Sequence, residues 1–307
     1  MSNPSPVSPG HTTKAGFVLL AGLPNAGKST FLNRAVGERL SIVTSKAQTT
    51  WQRVAGIRSE DNVQMVFVDT PGLLEPGSLI HRSMMAEVMR GAADADAAVL
   101  VMDGTRSHEE QALGRLSSFV EGLHCPSVLA VNKSDEPGYD SSEGMGLAAS
   151  LNMEAREVSA RTGKGVDMVL DWVRAGLPES PFLYDPDDLA SAPTRFFVEE
   201  LIRETVFEQY HQEIPYAVAV RIEEFRESQE PVYIGATIYV ERKSQKGILV
   251  GKGGVGIRSL GKDARRKIEH FLGTSVYLDL WVKVWAGWRN KREGLKSLGY
   301  PLPDDGE

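Results

Sequence analysis

The sequence predicts an α/β chain in two units, a largely parallel sheet flanked by helices and then a smaller α+β unit. Three observations predict it. Short β-rich runs alternate with helix-like stretches from residue 16 to about residue 177, as parallel strands joined by covering helices do. A stretch dense in Pro and Asp between residues 178 and 193 then breaks the alternation, which is linker chemistry. Beyond it the pattern changes to helix, two strands, two helices and a last strand. At 307 residues the chain is long enough for two cores of ordinary size.

In the first unit, strands are expected at residues 17–21, 54–58, 63–69, 97–103, 127–132 and 157–159, each ending at a polar or glycine-bearing turn. Ligands of open α/β sheets sit outside the carboxyl ends of the strands, so functional residues are sought there. In the second unit, residues 194–211 read as a helix with Phe197, Leu201 and Phe207 on its apolar face. Two strands at 216–225 and 232–241 pair across a turn, a glycine cluster at 246–257 separates two helical segments, and 275–284 alternates apolar and polar residues as a final strand. The resulting division is a disordered tail at 1–14, a first domain at 15–180, a linker at 181–194, a second domain at 195–300 and a tail at 301–307.

Composition narrows the function classes. Hydrophobic residues at 41% and charged residues at 24% are values of a folded globular protein. The longest apolar runs are strand-sized, far below the roughly 20 residues of a membrane span. The amino terminus, rich in Ser, Pro and Thr without an apolar centre, reads as a tail and not as a signal peptide. The single cysteine, Cys125, cannot form an internal disulfide or a zinc cluster and reads as a buried small apolar residue. A net charge of −7 argues against a protein that coats nucleic acid over its whole surface. Nine basic residues between Arg242 and Lys267, opposed only by Asp263, nevertheless allow a local basic face.

The motifs carry the chemistry. Gly22, Leu23, Pro24, Asn25, Ala26, Gly27, Lys28 and Ser29 follow the first strand with the spacing of a phosphate-binding loop. In such a loop the glycines turn backbone amides inward, Lys28 neutralises the β and γ phosphates, and Ser29, with Thr30 beside it, opens the helix whose positive end faces the anion. Asp69 and Gly72, in Asp-Thr-Pro-Gly after the third strand, are placed to hold a metal through water and to turn an amide toward a γ phosphate. Ser29, Asp69 and one hydroxyl of Thr49-Thr50, with Thr50 favoured, form the expected Mg²⁺ set. Lys28, Thr50 and Gly72 are the expected catalytic groups.

Asn132, Lys133 and Asp135 at the end of the fifth strand read the base. The carboxylate accepts hydrogens from guanine N1 and its 2-amino group, where adenine presents an acceptor. Ser159 and Ala160, in Ser-Ala-Arg-Thr-Gly, add a backbone amide for the guanine oxygen. Together these imply binding and hydrolysis of GTP to GDP. Leu73 stands directly after Gly72, where a water-orienting glutamine is common. Slow intrinsic turnover is therefore expected, accelerated by a partner or by a monovalent cation, K⁺, near the Asn25 amide oxygen.

In the second unit, Gly251, Lys252, Gly253 and Gly254 form a GxxG turn between two helices, the device with which a KH fold clamps four nucleotides. The element order is that of the type II KH domain. Lys243, Lys246, Lys252 and Arg258 supply phosphate attraction. Trp281, Trp285 and Trp288 are candidates to stack bases, with packing the stronger reading for two of the three.

Over nearly its whole length the chain resembles the Era family of GTPases. The resemblance rests on GLPNAGKS, KAQTT, DTPG, NKSD and SARTG in order, and on the more specific phrases IPYAVAV, VERKSQK and LWVKVWAGW. It implies a P-loop GTPase domain followed by a type II KH domain, in a cytoplasmic protein that at times associates with the inner face of the membrane. It also implies binding near the 3′ end of 16S ribosomal RNA and a role in 30S subunit maturation. Two departures stand out. Trp51 replaces a usual basic residue after the threonine pair, and Gly253 with Gly256 replace lysine or polar residues at the KH turn, which implies weaker phosphate attraction. The rival readings are a GTPase acting on another RNA or ribosomal target, and an RNA-binding module with a vestigial nucleotide site. Intact Lys28, Ser29, Asp69 and Asp135 speak against the second.

Overall fold

A computed structural model describes residues 12–44, 46 and 49–302. The tails expected at either end fall largely outside these residues.

The first sheet follows from runs of apolar β-formers. Strands β1 (Lys14–Gly22), β2 (Val54–Ser59), β3 (Val63–Asp69), β4 (Ala97–Asp103), β5 (Ser127–Asn132) and β6 (Glu154–Glu157) lie in the order β2-β3-β1-β4-β5-β6. β2 runs antiparallel to β3 and the remaining pairs are parallel. All seven residues of β3 and of β4 are buried, as strands covered on both faces must be. Alternation sorts the two faces. Val18 and Leu20 pack with Phe31 and Leu32 of α1 (Lys28–Val36) and with Val169 and Val173 of α5 (Val166–Gly176). Leu19 and Ala21 pack with Val88 of α2 (Leu79–Ala93), Leu116 of α3 (Glu110–Glu121) and Ala148 of α4 (Ser142–Ser150).

Two expectations about this half need correcting. The sixth strand lies at Glu154–Glu157 and not at 157–159, because Glu154 to Glu157 take up the register against β5, which frees Ser159 and Ala160 for the loop above the sheet. The Pro- and Asp-rich stretch is no free linker. Leu189 accepts a hydrogen bond from Ile57 (2.8 Å), Ser191 donates to Ala55, and the Gln64 side chain accepts from Leu183 and Tyr184 at 2.7 and 2.9 Å. It covers β2, the edge strand, whose open backbone groups would otherwise invite another chain.

The second sheet, β7 (Ala219–Arg226), β8 (Val232–Val240) and β9 (Val276–Val284), has the order β7-β8-β9, with β7 antiparallel and β9 parallel to β8. Its first strand starts later than expected because Pro215–Ala217 forms a 3-10 turn. Helices α6 (Thr194–Gln209), α7 (Lys243–Val250) and α8 (Val255–Leu272) cover one face through Ile202, Leu249, Leu260 and Ile268. After β9 comes α9 (Arg292–Ser297). Among the described residues no helix is long and apolar enough to cross a membrane.

A fourth cluster spans both halves. Trp51, Leu74, Ile80 and Met84 from the first meet Trp288, Leu295, Leu298 and Tyr300 from the second. Trp288 is wholly buried and Trp285 packs edge-on against Tyr239, while Trp281 stays 61% exposed. Trp51 therefore sits in this core as a packing residue.

Candidate nucleotide site and RNA face

The carboxyl ends of β1, β3 and β5 open onto a cavity of about 340 Å³ lined by Asn25, Gly27, Lys28, Ser29, Thr30, Thr50, Gly72 and Lys133, with Ile42, Thr44 and Lys46 from the loop after α1. The loop between β1 and α1 needs its glycines. Gly27 has φ +97°, and a Cβ there would lie 2.2 Å from the Asn132 amide nitrogen. Asn132, expected to read the base, braces two loops: it donates to the Ala26 carbonyl at 2.8 Å and accepts from the Ala160 amide at 2.9 Å.

Lys28 is only 6% exposed and donates to the carbonyls of Gly22 and Leu23 at 3.2 and 3.0 Å. Burial pulls its ammonium from an ordinary 10.5 down to about 8, against the opposing charge of Asp69. The same burial raises the Asp69 carboxyl, opposed by Lys28 and by the Ser29 hydroxyl. Each group alone is costly here, and a bound anion with its metal would relieve both.

Ser29, Thr50 and Asp69 converge as expected. The Ser29 hydroxyl donates to Asp69 Oδ2 at 2.7 Å and lies 3.1 Å from Thr50 Oγ1, which itself is 3.4 Å from Asp69 Oδ2. Asp69 Oδ1 is buried without a hydrogen-bond partner among the described residues. Two hydroxyls and a carboxylate form an oxygen donor set that suits a hard cation such as Mg²⁺. No group of three or more His, Cys, Asp or Glu is placed to hold a metal ion among the described residues, and an Mg²⁺ ion bound through so few side chains would complete its shell with phosphate and water.

At the base end, Ser159 Oγ donates to Asp135 Oδ1 at 2.5 Å and Arg161 forms an ion pair with the same carboxylate. The Ser159 hydroxyl first, and then Arg161, hold Asp135 below the usual carboxylate range, so it stays an acceptor. Lys133, at φ +71°, reaches back to Asp103 at 2.7 Å. Asp103 was not among the expected residues, although its position at the end of β4 marked it. Leu73 is buried in the core, so no side chain there can orient water.

The basic face of the second unit is drawn differently. A groove of about 450 Å³ between α8 and β9 is lined by Arg258, Lys262, Arg265, Tyr277 and Leu280. Of the expected residues only Arg258 lines it. Lys243, Lys246 and Lys252 are exposed nearby, and Gly251, Gly253 and Gly254 all have positive φ at the GxxG turn. Lys262 and Arg265, expected only as members of the general basic face, and Tyr277, not expected, line the groove as well. The i, i+4, i+7 spacing of Arg258, Lys262 and Arg265 on one helix face could have found two of them. Gly256 carries a packing requirement, since a Cβ there would come within 2.6 Å of the Leu249 carbonyl.

Family comparisons cover both units. A family described as "50S ribosome-binding GTPase" matches residues 17–133, and a family described as "KH domain" matches residues 213–289. A crystal structure of an Aquifex aeolicus Era variant bound to GDP.AlF4⁻ is 32% identical, with a TM-score of 0.88 over 94% of this chain and 100% of that one. The chain belongs to the Era family of GTPases. A second Era structure, in complex with MgGDPNP and nucleotides 1506–1542 of 16S ribosomal RNA, matches with the same identity, coverage and TM-score. The Era-family fold expected from the sequence, a G domain followed by a KH domain, is thus the observed one, and the chain is a GTPase.

Proposed function

We propose that this Era-family GTPase binds small-subunit ribosomal RNA near its 3′ end through its KH unit and acts in 30S assembly. The similarity to Era captured with 16S nucleotides 1506–1542 carries the reading, in a chain that keeps both the phosphate loop and the GxxG turn. Residues 15–180 then form the G domain and 195–300 the KH domain.

Residue roles follow from chemistry. Backbone amides of Gly22, Asn25, Ala26, Gly27 and Thr30 enclose the phosphates, Lys28 neutralises them, and the Gly72 amide meets the γ phosphate. Ser29, Thr50 and Asp69 would hold Mg²⁺, which when bound supplies charge neutralisation of the β and γ oxygens. Asp135 reads the guanine edge, Ser159 and Ala160 brace it, and Asn132 and Lys133 shape its pocket. With Leu73 buried, intrinsic turnover is slow, and K⁺ held near Asn25 or a partner accelerates it. Replacing Na⁺ with K⁺ in a turnover assay should raise the rate; an unchanged rate removes the cation. Lys243, Lys246, Gly251, Lys252, Gly253, Gly254 and Arg258 attract and clamp RNA, joined by Lys262, Arg265 and Tyr277. A cytoplasmic location with peripheral visits to the inner membrane face completes the reading, and co-sedimentation with anionic vesicles tests it.

The deciding experiment is binding of the full-length protein to an RNA of the 16S 3′ end beside a scrambled RNA of equal length. Preference for the 16S sequence supports the reading, and equal affinity sinks it.

A further inference from the structure

The loop carrying Thr50 is fastened at three points to the second half of the chain. Lys46 donates to the carbonyls of Phe207 and Tyr210, at and just beyond the end of α6. Arg203, also on α6, donates to the Thr49 carbonyl. Trp51 packs on Trp288 and Tyr300, with ring centroids 6.0 and 5.8 Å away. Thr50 thus has an anchored residue on each side, while its hydroxyl faces Ser29 and Asp69.

Arg203 is the unusual member. It is 2% exposed, lies between the Trp51 and Phe207 rings at 5.1 and 5.4 Å, and is forked onto Glu200 by bonds of 2.7 and 2.6 Å. Burying a guanidinium is poorly rewarded in stability, since an apolar side chain of similar volume would serve as well. What such a side chain could not do is grip a carbonyl and a tryptophan face at once, fixing the peptide on which Thr50 depends. The neighbouring residue, Glu204, ties α6 to Lys267 of α8 and to Arg39 after α1. α6 therefore bridges the helix that follows the GxxG turn and the loop over the nucleotide cavity.

We propose that Arg203 is a positioning residue for GTP hydrolysis: from the RNA-binding half of the chain it holds the Thr49–Thr50 peptide so that the Thr50 hydroxyl meets the metal of bound GTP. The proposal rests on the reading of Thr50 as a metal ligand, so Thr50→Ala is measured beside it.

GDP lacks the γ phosphate that draws this loop inward, so the signature is discrimination between nucleotides and not general weakening. Arg203→Met and the charge-conserving Arg203→Lys, in the full chain, are titrated with fluorescent GDP and with a non-hydrolysable GTP analogue in Mg²⁺, and turnover is followed by phosphate release. The expected result is a loss of about tenfold in kcat and in affinity for the GTP analogue, with GDP affinity within about twofold of the parent, and a smaller loss for Arg203→Lys. Equal weakening of both nucleotides would make Arg203 a structural residue only, and unchanged analogue affinity and kcat would remove it from the reaction; either overturns the proposal. Thr50→Ala should show the same discrimination. If it binds both nucleotides like the parent, the metal assignment of Thr50 fails, separately from whatever Arg203 does.

Discussion

At the phosphate end of the nucleotide cavity the charged pair Lys28 and Asp69 is buried, whereas Arg258, Lys262 and Arg265 along α8 stand in solvent. Lys28 and Asp69 are almost without exposure, and Asn132 spends its amide on two loops. Arg258, Lys262 and Arg265 are exposed around an open groove. The difference teaches how each site obtains specificity. A buried site discriminates through the cost of leaving a polar group unpaired, so one wrong atom matters. An exposed basic groove gains from many small attractions, each screened by salt, and loses little with any one of them.

Four measurements would break or sharpen that contrast. The largest effect belongs to Lys28→Ala, expected to slow GTP hydrolysis by about 10²–10³-fold, as removal of a buried charge-stabilising donor does. Phosphate release is the assay, with circular dichroism to confirm the fold, and a loss of only a few-fold would mean that burial confers no special leverage here. Asp135→Asn comes next. Its amide can accept only one of the two guanine hydrogens and turns a donor toward the other, so GTP affinity should fall roughly 10–100-fold. Xanthosine triphosphate, whose 2-oxo group accepts a hydrogen bond from the new amide, should gain, and competition binding reads both.

The third test is pH. Free Lys28 loses its proton near 8, and bound phosphate demands the ammonium form. Affinity should stay flat below that pH and fall above it by up to about tenfold per pH unit, as one proton is taken up on binding. Calorimetry in buffers of different ionisation heat detects that proton, and its absence above pH 8 contradicts the assignment. The smallest effect is on the RNA side. Arg258→Ala or Lys252→Ala should weaken RNA binding only a few-fold and flatten the salt dependence by about 0.7 in log-log slope for each phosphate no longer neutralised. A hundredfold loss from one substitution would place a buried, specific interaction where the structure has an open groove.

How much was legible follows the same division. The phosphate loop, the Asp69 turn and the Asn132-to-Asp135 element are local runs at strand ends, and their residues lie where a linear reading puts them. The groove was half legible: the GxxG turn declared itself, but Tyr277 joins Arg258 only because β9 runs beside α8. Asp103 stood at a strand end, but its pairing with Lys133, 30 residues away, and that of Thr49 with Arg203, 154 away, left no signal in the chain. The last strand of the first sheet was misplaced by three residues because Glu154–Glu157 is an edge strand without a closed apolar run to mark it.

Taken by itself, the sequence determined two folded units, a guanine-nucleotide loop set and a KH turn, because each of these is written in short-range spacing and in backbone freedom that only glycine offers. The tertiary structure alone decided that Trp51 is core, that the Pro-rich stretch guards the β2 edge and that α6 grips the loop carrying Thr50. Those outcomes depend on which distant surfaces bury one another. Packing of that kind is settled by shape and desolvation across the whole chain, and no local pattern records it.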